Sequence, residues 1–74
     1  MTLVLVSRQG CHLCDESLAL IRQLGCEPEV VDVDSHDQLH DLYDWRVPVL
    51  ILDGRVIAEG SMDRAHLQKA LHPE

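Results

Sequence analysis

Cys11-His12-Leu13-Cys14 follows a short apolar run and precedes a segment with helical periodicity. The apolar run from Leu3 to Val6 is typical of a buried strand, and the periodicity from Asp15 to Leu24 predicts a helix. The thiols therefore lie at a strand-to-helix junction, where the unpaired N–H groups of a helix start stabilise a thiolate. Cysteines spaced i, i+3 can close a disulfide within one turn. The pattern predicts a dithiol redox site in which Cys11 is the exposed nucleophile and Cys14 the buried resolving thiol.

Composition and charge narrow the class of protein. The 74 residues predict one domain over residues 1–74. A formal net charge of −7 disfavours both a nucleic-acid partner and an anionic membrane surface. No secretory signal or run of membrane-spanning length is recognisable. We therefore expect a cytoplasmic monomer whose three cysteines serve redox or metal chemistry rather than a disulfide framework.

Strands and helices alternate along the rest of the chain. The first helix is predicted from His12 to Leu24, where Gly25 ends it. Further predicted elements are a strand at 30–33, a helix capped by Asp34 or Ser35, strands at 49–52 and 56–58 around a turn at 53–55, and a helix from Gly60-Ser61 to Pro73. The predicted inward residues are Leu13, Leu20, Ile21 and Leu24, then Leu39, Leu42 and Tyr43, then Ala65 or His66, Leu67, Ala70 and Leu71.

The element order predicts the arrangement of the sheet. A right-handed crossover makes the first two strands parallel, and the short turn makes the last two antiparallel. The apolar strands need cover on both sides. We therefore expect an α/β fold with a four-stranded mixed sheet and helices on both faces.

Three further stretches accompany the cysteines, namely Arg46-Val47-Pro48-Val49-Leu50, Asp53-Gly54 and Gly60-Ser61-Met62-Asp63. Together with the stretch from Ser7 to Cys14, they resemble the glutaredoxin branch of the thioredoxin-like superfamily, especially its short bacterial glutaredoxin-like members. The resemblance covers nearly the whole chain. It implies a thioredoxin-like βαβαββα fold and thiol–disulfide oxidoreductase activity with no bound metal or organic cofactor. The implied partner is a disulfide-containing protein or a glutathione mixed disulfide, with glutathione as candidate co-substrate.

The same resemblance implies roles for residues outside the dithiol. It implies that Pro48 is cis, and that the backbone of Val47 pairs with an extended cysteine-bearing substrate. Arg8 matches a basic residue three positions before the first cysteine that assists a thiolate or a carboxylate. The remaining predicted substrate-binding residues, at the predicted start of the last helix, are Gly60, Ser61 and Met62.

Several positions depart from the family pattern. The usual proline-aromatic pair between the cysteines is His12-Leu13, the Gly-Gly before the last helix is Glu59-Gly60, and the acidic pair after it is Met62-Asp63. Those positions help to hold glutathione in typical glutaredoxins, so we expect weak glutathione-dependent activity. Seven acids between residues 27 and 44, with no Lys or Arg among them, add repulsion of an anionic tripeptide.

His12 is the candidate for tuning the dithiol. A protonated imidazole beside the thiolate favours the reduced form, although Asp15 and Glu16 oppose that effect. Alternatively, His12 is a solvated linker residue. Cys26 is predicted to pack rather than to react, because a helix separates it from Cys11.

Two other classes of function stay open. One is a non-enzymatic thioredoxin-like interaction module whose thiols are incidental. The other is a small zinc-binding domain. Its candidate ligands are Cys11, Cys14, His36 and His40.

Overall fold

Strands and helices follow the predicted order along residues 2–72, which are the residues that this computed structural model describes. The elements are β1 (Leu3–Ser7), α1 (His12–Gln23), β2 (Glu29–Asp32), a 3-10 turn (Val33–Ser35), α2 (Asp37–Tyr43), β3 (Val49–Leu52), β4 (Arg55–Glu59) and α3 (Arg64–Leu71). Within residues 2–72, no helix has the length and apolar character needed to cross a membrane.

The four strands form one mixed sheet in the spatial order β2-β1-β3-β4. β1 pairs with β2 in parallel, while the β1–β3 and β3–β4 pairs are antiparallel. The β3–β4 turn is closed by Asp53 and Gly54, both of which have positive φ angles, as a tight two-residue hairpin turn requires. The predicted α/β fold with a four-stranded mixed sheet is confirmed.

Alternation along β1 divides the apolar residues between the two faces of the sheet. Leu3 and Leu5 join a cluster that includes Ile21 of α1 and Leu67 of α3. Val6 joins a second cluster, in which residues of α2 pack against the opposite face. Helices therefore cover both faces, as predicted.

The first helix follows the prediction closely, with one error. It ends at Gln23, Leu24 is its C-cap, and Gly25 follows with a φ of 83° in the left-handed region. Leu13 was predicted to face inward but is 43% exposed. Its neighbour Cys14 is buried instead, so the inward stripe begins one position later than predicted.

The second strand and the second helix are displaced from their predicted bounds. β2 ends at Asp32, whose carboxylate accepts the N–H of Asp34 at 2.9 Å and turns the chain into the 3-10 segment. The predicted cap of α2 by Asp34 or Ser35 is wrong, because the helix follows His36, which makes no side-chain cap bond. Leu42 is 58% exposed, which contradicts its predicted inward position.

The last helix begins later than predicted. Gly60 has a φ of 69°, and Asp63 supplies the cap by accepting the N–H of His66 at 2.7 Å. The helix therefore starts at Arg64 rather than at Gly60-Ser61. Leu67 and Leu71 are buried as predicted, whereas the alternatives Ala65 and His66 are both exposed. The predicted stop at Pro73 lies outside the described residues.

Candidate functional site

Cys11 is the N-cap residue of α1 and presents its sulfur to the start of the helix. Its backbone is extended, with φ −86° and ψ 110°, and its N–H donates to the carbonyl of Arg8 at 3.2 Å. The Sγ atom accepts the N–H of Cys14 at 3.1 Å. The sulfur thus occupies the position where a capping oxygen satisfies an otherwise unpaired N–H, and this donor favours negative charge on it.

Cys14 lies one turn further along α1 in very different surroundings. It is 2% exposed, whereas Cys11 is partly accessible, and the cysteines are free. The pKa of the Cys14 thiol is raised to about 12, mainly by burial and also by the hydrogen bond and charge of Cys11. Cys14 is therefore a protonated thiol at neutral pH. The predicted difference in exposure between the two cysteines is confirmed.

The segment before β3 lies at the same edge of the sheet as the start of the cysteine loop. Val6 pairs with Val49 in the antiparallel register, so the next positions outward are Ser7 on one strand and Pro48 on the other. The bond between Val47 and Pro48 is cis, as predicted. Pro48 is buried, and its carbonyl accepts the N–H of Gly60 at 2.8 Å.

The backbone of Val47 remains available for pairing. Among residues 2–72, neither its N–H nor its carbonyl takes part in a hydrogen bond within the chain. An unpaired backbone beside a sheet can form main-chain hydrogen bonds with a bound peptide. The predicted role of Val47 in substrate binding stays a prediction.

Arg8 is held by two acidic residues. Its guanidinium binds the carboxylate of Asp34 at 3.0 and 3.1 Å, the carboxylate of Asp44, and the Asp44 carbonyl at 3.2 Å. This pairing lowers the pKa of Asp34. The hydrogen bonds of Arg8 thus tie the cysteine loop to the end of α2. Assistance to a thiolate or a carboxylate by Arg8 stays a prediction.

The three residues predicted to bind substrate before α3 differ in their surroundings. Gly60 is bonded to Pro48 through its N–H, and Ser61 is exposed. Met62 is 9% exposed and belongs to the cluster beneath α1 and α3. Because α3 begins after Asp63, the helix start predicted at these residues is not there.

Sequence reasoning missed the ion pair between Arg46 and Glu59. The Arg46 Nε donates to the Glu59 carboxylate at 2.5 Å, and the guanidinium lies 5.3 Å from the centre of the Tyr43 ring. The pairing lowers the pKa of Glu59. Arg46 precedes Val47, and Glu59 precedes Gly60. The sequence therefore shows opposite charges at two positions that the hairpin brings together. Arg46 and Arg8, the two arginines near Pro48 in sequence and register, are thus both paired with acids.

His12 is almost fully solvated. Its side chain is 86% exposed, and its Nε2 atom lies 3.3 Å from the carboxylate of Glu16. Any positive charge on the imidazole is therefore partly compensated within the helix. The role of His12 in tuning the dithiol stays a prediction.

Cys11 and Cys14 belong to no cluster of metal-ligating side chains among residues 2–72. The cluster found there consists of Asp34, His40 and Asp44, whose ligand atoms lie within 4.8 Å of one another. Arg8 already binds both of these carboxylates. The four candidate zinc ligands inferred from the sequence are thus not brought together.

Comparison with known proteins agrees with the fold. A family model described as "Glutaredoxin-like domain (DUF836)" matches residues 2–72. The structural genomics target XcR50 from X. campestris is 31% identical, with a TM-score of 0.87 and 99% of each chain covered. Protein Ne2328 from Nitrosomonas europaea is 35% identical, with a TM-score of 0.76 over 89% of this chain and 85% of that one.

A more distant likeness concerns the fold alone. A glutaredoxin from Archaeoglobus fulgidus is 15% identical, with a TM-score of 0.70 over 95% of this chain and 85% of that one. No curated protein matches the chain significantly. The fold and the site define a small thioredoxin-like protein. Within that class, the chain belongs to the glutaredoxin-like (DUF836) family.

Proposed function

We propose that this protein is a thiol–disulfide oxidoreductase that uses Cys11 and Cys14 as its redox couple. The observation that carries the proposal is the capping of α1 by the Cys11 sulfur above a buried, protonated Cys14. One thiol is accessible and its sulfur accepts an N–H at the start of the helix, and the other is buried one helical turn away. A nucleophilic thiol and a resolving thiol need these different surroundings.

The first step makes a mixed disulfide. The Cys11 thiolate attacks one sulfur of the substrate disulfide, forming an S–S bond to that sulfur. The substrate S–S bond breaks, and its second sulfur leaves as a thiolate that takes a proton from water. The backbone of Val47 supplies hydrogen bonds that align the substrate segment beside Cys11.

The second step releases the reduced substrate. Cys14 loses its proton to water and attacks the Cys11 sulfur. The mixed disulfide breaks, the substrate sulfur leaves as a thiolate that takes up a proton, and the Cys11–Cys14 disulfide forms. Two electrons have then passed from the two cysteines to the substrate disulfide. Negative charge on Cys11 raises the pKa of Cys14, and the first step removes that charge. Cys14 therefore loses its proton more readily after the mixed disulfide has formed. Glutathione or a protein dithiol restores the reduced pair.

Trapping of the mixed disulfide tests this assignment. We expect Cys14→Ser to accumulate a covalent adduct with a disulfide-bonded peptide, seen by mass spectrometry under non-reducing conditions. Cys11→Ser should form none, and Cys26→Ser is the matched control that should turn over like the unmodified protein. In glutathione buffers, the unmodified protein should show a reversible Cys11–Cys14 disulfide. Adduct formation by Cys11→Ser at the rate of Cys14→Ser would contradict the assigned roles.

Glutathione is a poor partner in this proposal. Arg8 is paired with Asp34 and Asp44, and Arg46 with Glu59, so the arginines near the cis proline do not offer an unpaired charge to an anionic tripeptide. The net charge of −7 adds long-range repulsion, which salt screens over about 8 Å at physiological ionic strength. These charges support a protein disulfide as the preferred substrate.

A further inference from the structure

Trp45 is exposed to an unusual degree for a tryptophan. This single tryptophan of the chain is 93% exposed, and Leu42, three residues earlier, is 58% exposed. The segment between them is helical, since Asp44 has helical backbone angles and the N–H of Arg46 donates to the Tyr43 carbonyl at 2.9 Å. Residues three apart on a helical turn share one side. Leu42 and Trp45 thus form one apolar surface at the end of α2, here called the Trp45 patch.

The core does not account for the Trp45 patch. The inward side of α2 is filled by Leu39 and Tyr43, which pack against the cluster of Val6, Val33 and Val49. Leaving a tryptophan in water forgoes the stabilisation that its burial would give. Exposed tryptophan is enriched where proteins bind one another, because it offers a large rigid surface at low entropic cost.

The position of Trp45 connects the patch to the redox site. Trp45 precedes Val47 by two residues, so their Cα atoms are at most about 7.6 Å apart. The unpaired backbone of Val47 is the predicted anchor of the substrate segment. A peptide that pairs with Val47 therefore passes within side-chain reach of Trp45.

The charges around the patch specify the occupant. Asp41 stands one helical turn before Trp45, and Asp37 one turn before Asp41; both are exposed and have no ion-pair partner among residues 2–72. Arg46, the cation next to Trp45, is already paired with Glu59. The unbalanced charge beside the patch is thus negative. A lysine or arginine on the occupant is attracted both to these carboxylates and to the face of the Trp45 ring.

We propose that the Trp45 patch binds the segment of a protein substrate that carries the reducible cysteine, and that this segment has Lys or Arg beside an apolar side chain. This inference rests on the proposed oxidoreductase function and names its substrate class. A second copy of this chain is a poor occupant, because two chains of charge −7 repel each other. Glutathione is anionic, so the unpaired carboxylates beside the patch repel it.

The intrinsic fluorescence of Trp45 measures binding without any redox chemistry. The probe is a short tryptophan-free peptide in which serine replaces the reactive cysteine, flanked by lysines and a leucine. We expect it to shift the Trp45 emission and to bind at least about fivefold more tightly at low salt than a peptide with glutamates in place of the lysines. Equal affinity for the two peptides would overturn the proposal.

Matched variants separate the patch from general charge and hydrophobicity. Leu42→Ala should weaken binding of the basic peptide by about threefold, whereas Val56→Ala, at a 41% exposed residue of β4, should leave it unchanged. Asp41→Asn should weaken it more than Glu29→Gln, which removes the same charge from β2. Equal effects within either pair would contradict the proposal. So would a Trp45 emission that shifts with protein concentration in the absence of peptide, since the occupant would then be a second copy.

Disulfide-reduction assays test the proposed oxidoreductase function and the Trp45 patch separately. With the cysteine-containing basic peptide as a disulfide, Trp45→Ala should slow reduction by about fivefold, while reduction of a small neutral disulfide stays unchanged. The neutral disulfide also verifies that the variant is folded. If the unmodified protein reduces neither disulfide but binds the serine peptide, the proposed function fails while the binding site stands. If reduction proceeds but Trp45→Ala has no effect, the function stands and the patch fails.

Discussion

Cys11 and Cys14 share one helical turn, yet only one of them is expected to react at neutral pH. Burial is the largest cause, and the neighbouring Cys11 contributes as well, so that the pKa of Cys14 is raised to about 12. In an alkylation series with iodoacetamide, we expect modification of Cys11 well before Cys14 as pH rises. Mass spectrometry of tryptic peptides measures each rate. Equal rates at the two cysteines would remove the case for a distinct nucleophile.

The two causes of the raised pKa can be separated at Cys14. Cys11→Ala removes the neighbouring sulfur but leaves Cys14 buried. We therefore expect the pKa of Cys14 to fall below about 12 in this variant and to stay above its ordinary value of 9.0. The ultraviolet absorbance of the thiolate, titrated in Cys26→Ser and in Cys11→Ala/Cys26→Ser, measures the change. A return to 9.0 would mean that burial is not the main cause.

At this scale the sequence was most informative where a residue's role depends on local spacing. The i, i+3 cysteines at a helix start predicted which thiol is buried, and the residues around Val47-Pro48 implied the cis bond that the structure has. The partners of Arg8 were not predictable. Asp34 and Asp44 lie 26 and 36 residues away, and several other acids were equally eligible until the fold brought these two together.

At the scale of elements, Arg8 joins the loop before α1 to the ends of β2 and α2. Arg8→Gln should lower the thermal midpoint of unfolding, and Arg55→Gln, at an exposed arginine of β4, is the matched control. Because Arg8 lowers the pKa of Asp34 below its ordinary 3.8, the stabilisation is fully present above that pH and is lost as pH falls through the lowered value. The difference between Arg8→Gln and the unmodified protein should therefore shrink under strong acid. A difference that is independent of pH would contradict this pairing.

A second prediction at this scale concerns the strand end at Glu59. Removing its charge frees Arg46 for an anionic ligand, so Glu59→Gln should raise the rate with a glutathione mixed disulfide, coupled to glutathione reductase. Glu59→Gly removes the charge and also the side chain that departs from the family's glycine. If Glu59→Gly raises this rate and Glu59→Gln does not, the rate with the glutathione mixed disulfide is limited by obstruction from the Glu59 side chain rather than by its pairing with Arg46. Higher salt should raise the rate of the unmodified protein by screening. Turnover comparable to an ordinary glutaredoxin in the unmodified protein would show that these departures do not matter.

Element types were easier to predict than their ends. The apolar periodicities gave every helix and strand of the sheet, because the period survives small errors of position. The ends of β2 and α3 depend instead on single side chains, Asp32 and Asp63, that bond to a nearby N–H. Several neighbouring polar residues could have served as caps, and tertiary packing chose among them. The exposure of Leu42 was not predicted, because helical spacing alone placed it on the same side as Leu39 and Tyr43.

At the scale of the whole molecule, two small apolar clusters on opposite faces of one sheet hold the fold together. Leu50 of the central strand β3 is fully buried, so Leu50→Ala should reduce the free energy of unfolding by about 2–5 kcal/mol. That is a large part of the 5–15 kcal/mol that is typical of a domain. Leu42→Ala makes the same chemical change at an exposed position and should cost little. Urea unfolding followed by circular dichroism compares the two variants, and similar losses would contradict the assigned core.

The bonds between Thr2 and Asp53 have a practical consequence for attaching this molecule to other objects. The N–H of Thr2 donates to the Asp53 carboxylate, and the N–H of Asp53 donates to the Thr2 carbonyl, both at 2.8 Å. The beginning of β1 and the hairpin turn are thereby joined at one pole, and β1 runs about 17 Å from there to the cysteine loop. A linker, a label or a solid support fixed at that pole points the dithiol outward. Immobilised through this end, the protein offers its reactive face to solution instead of to the surface that carries it.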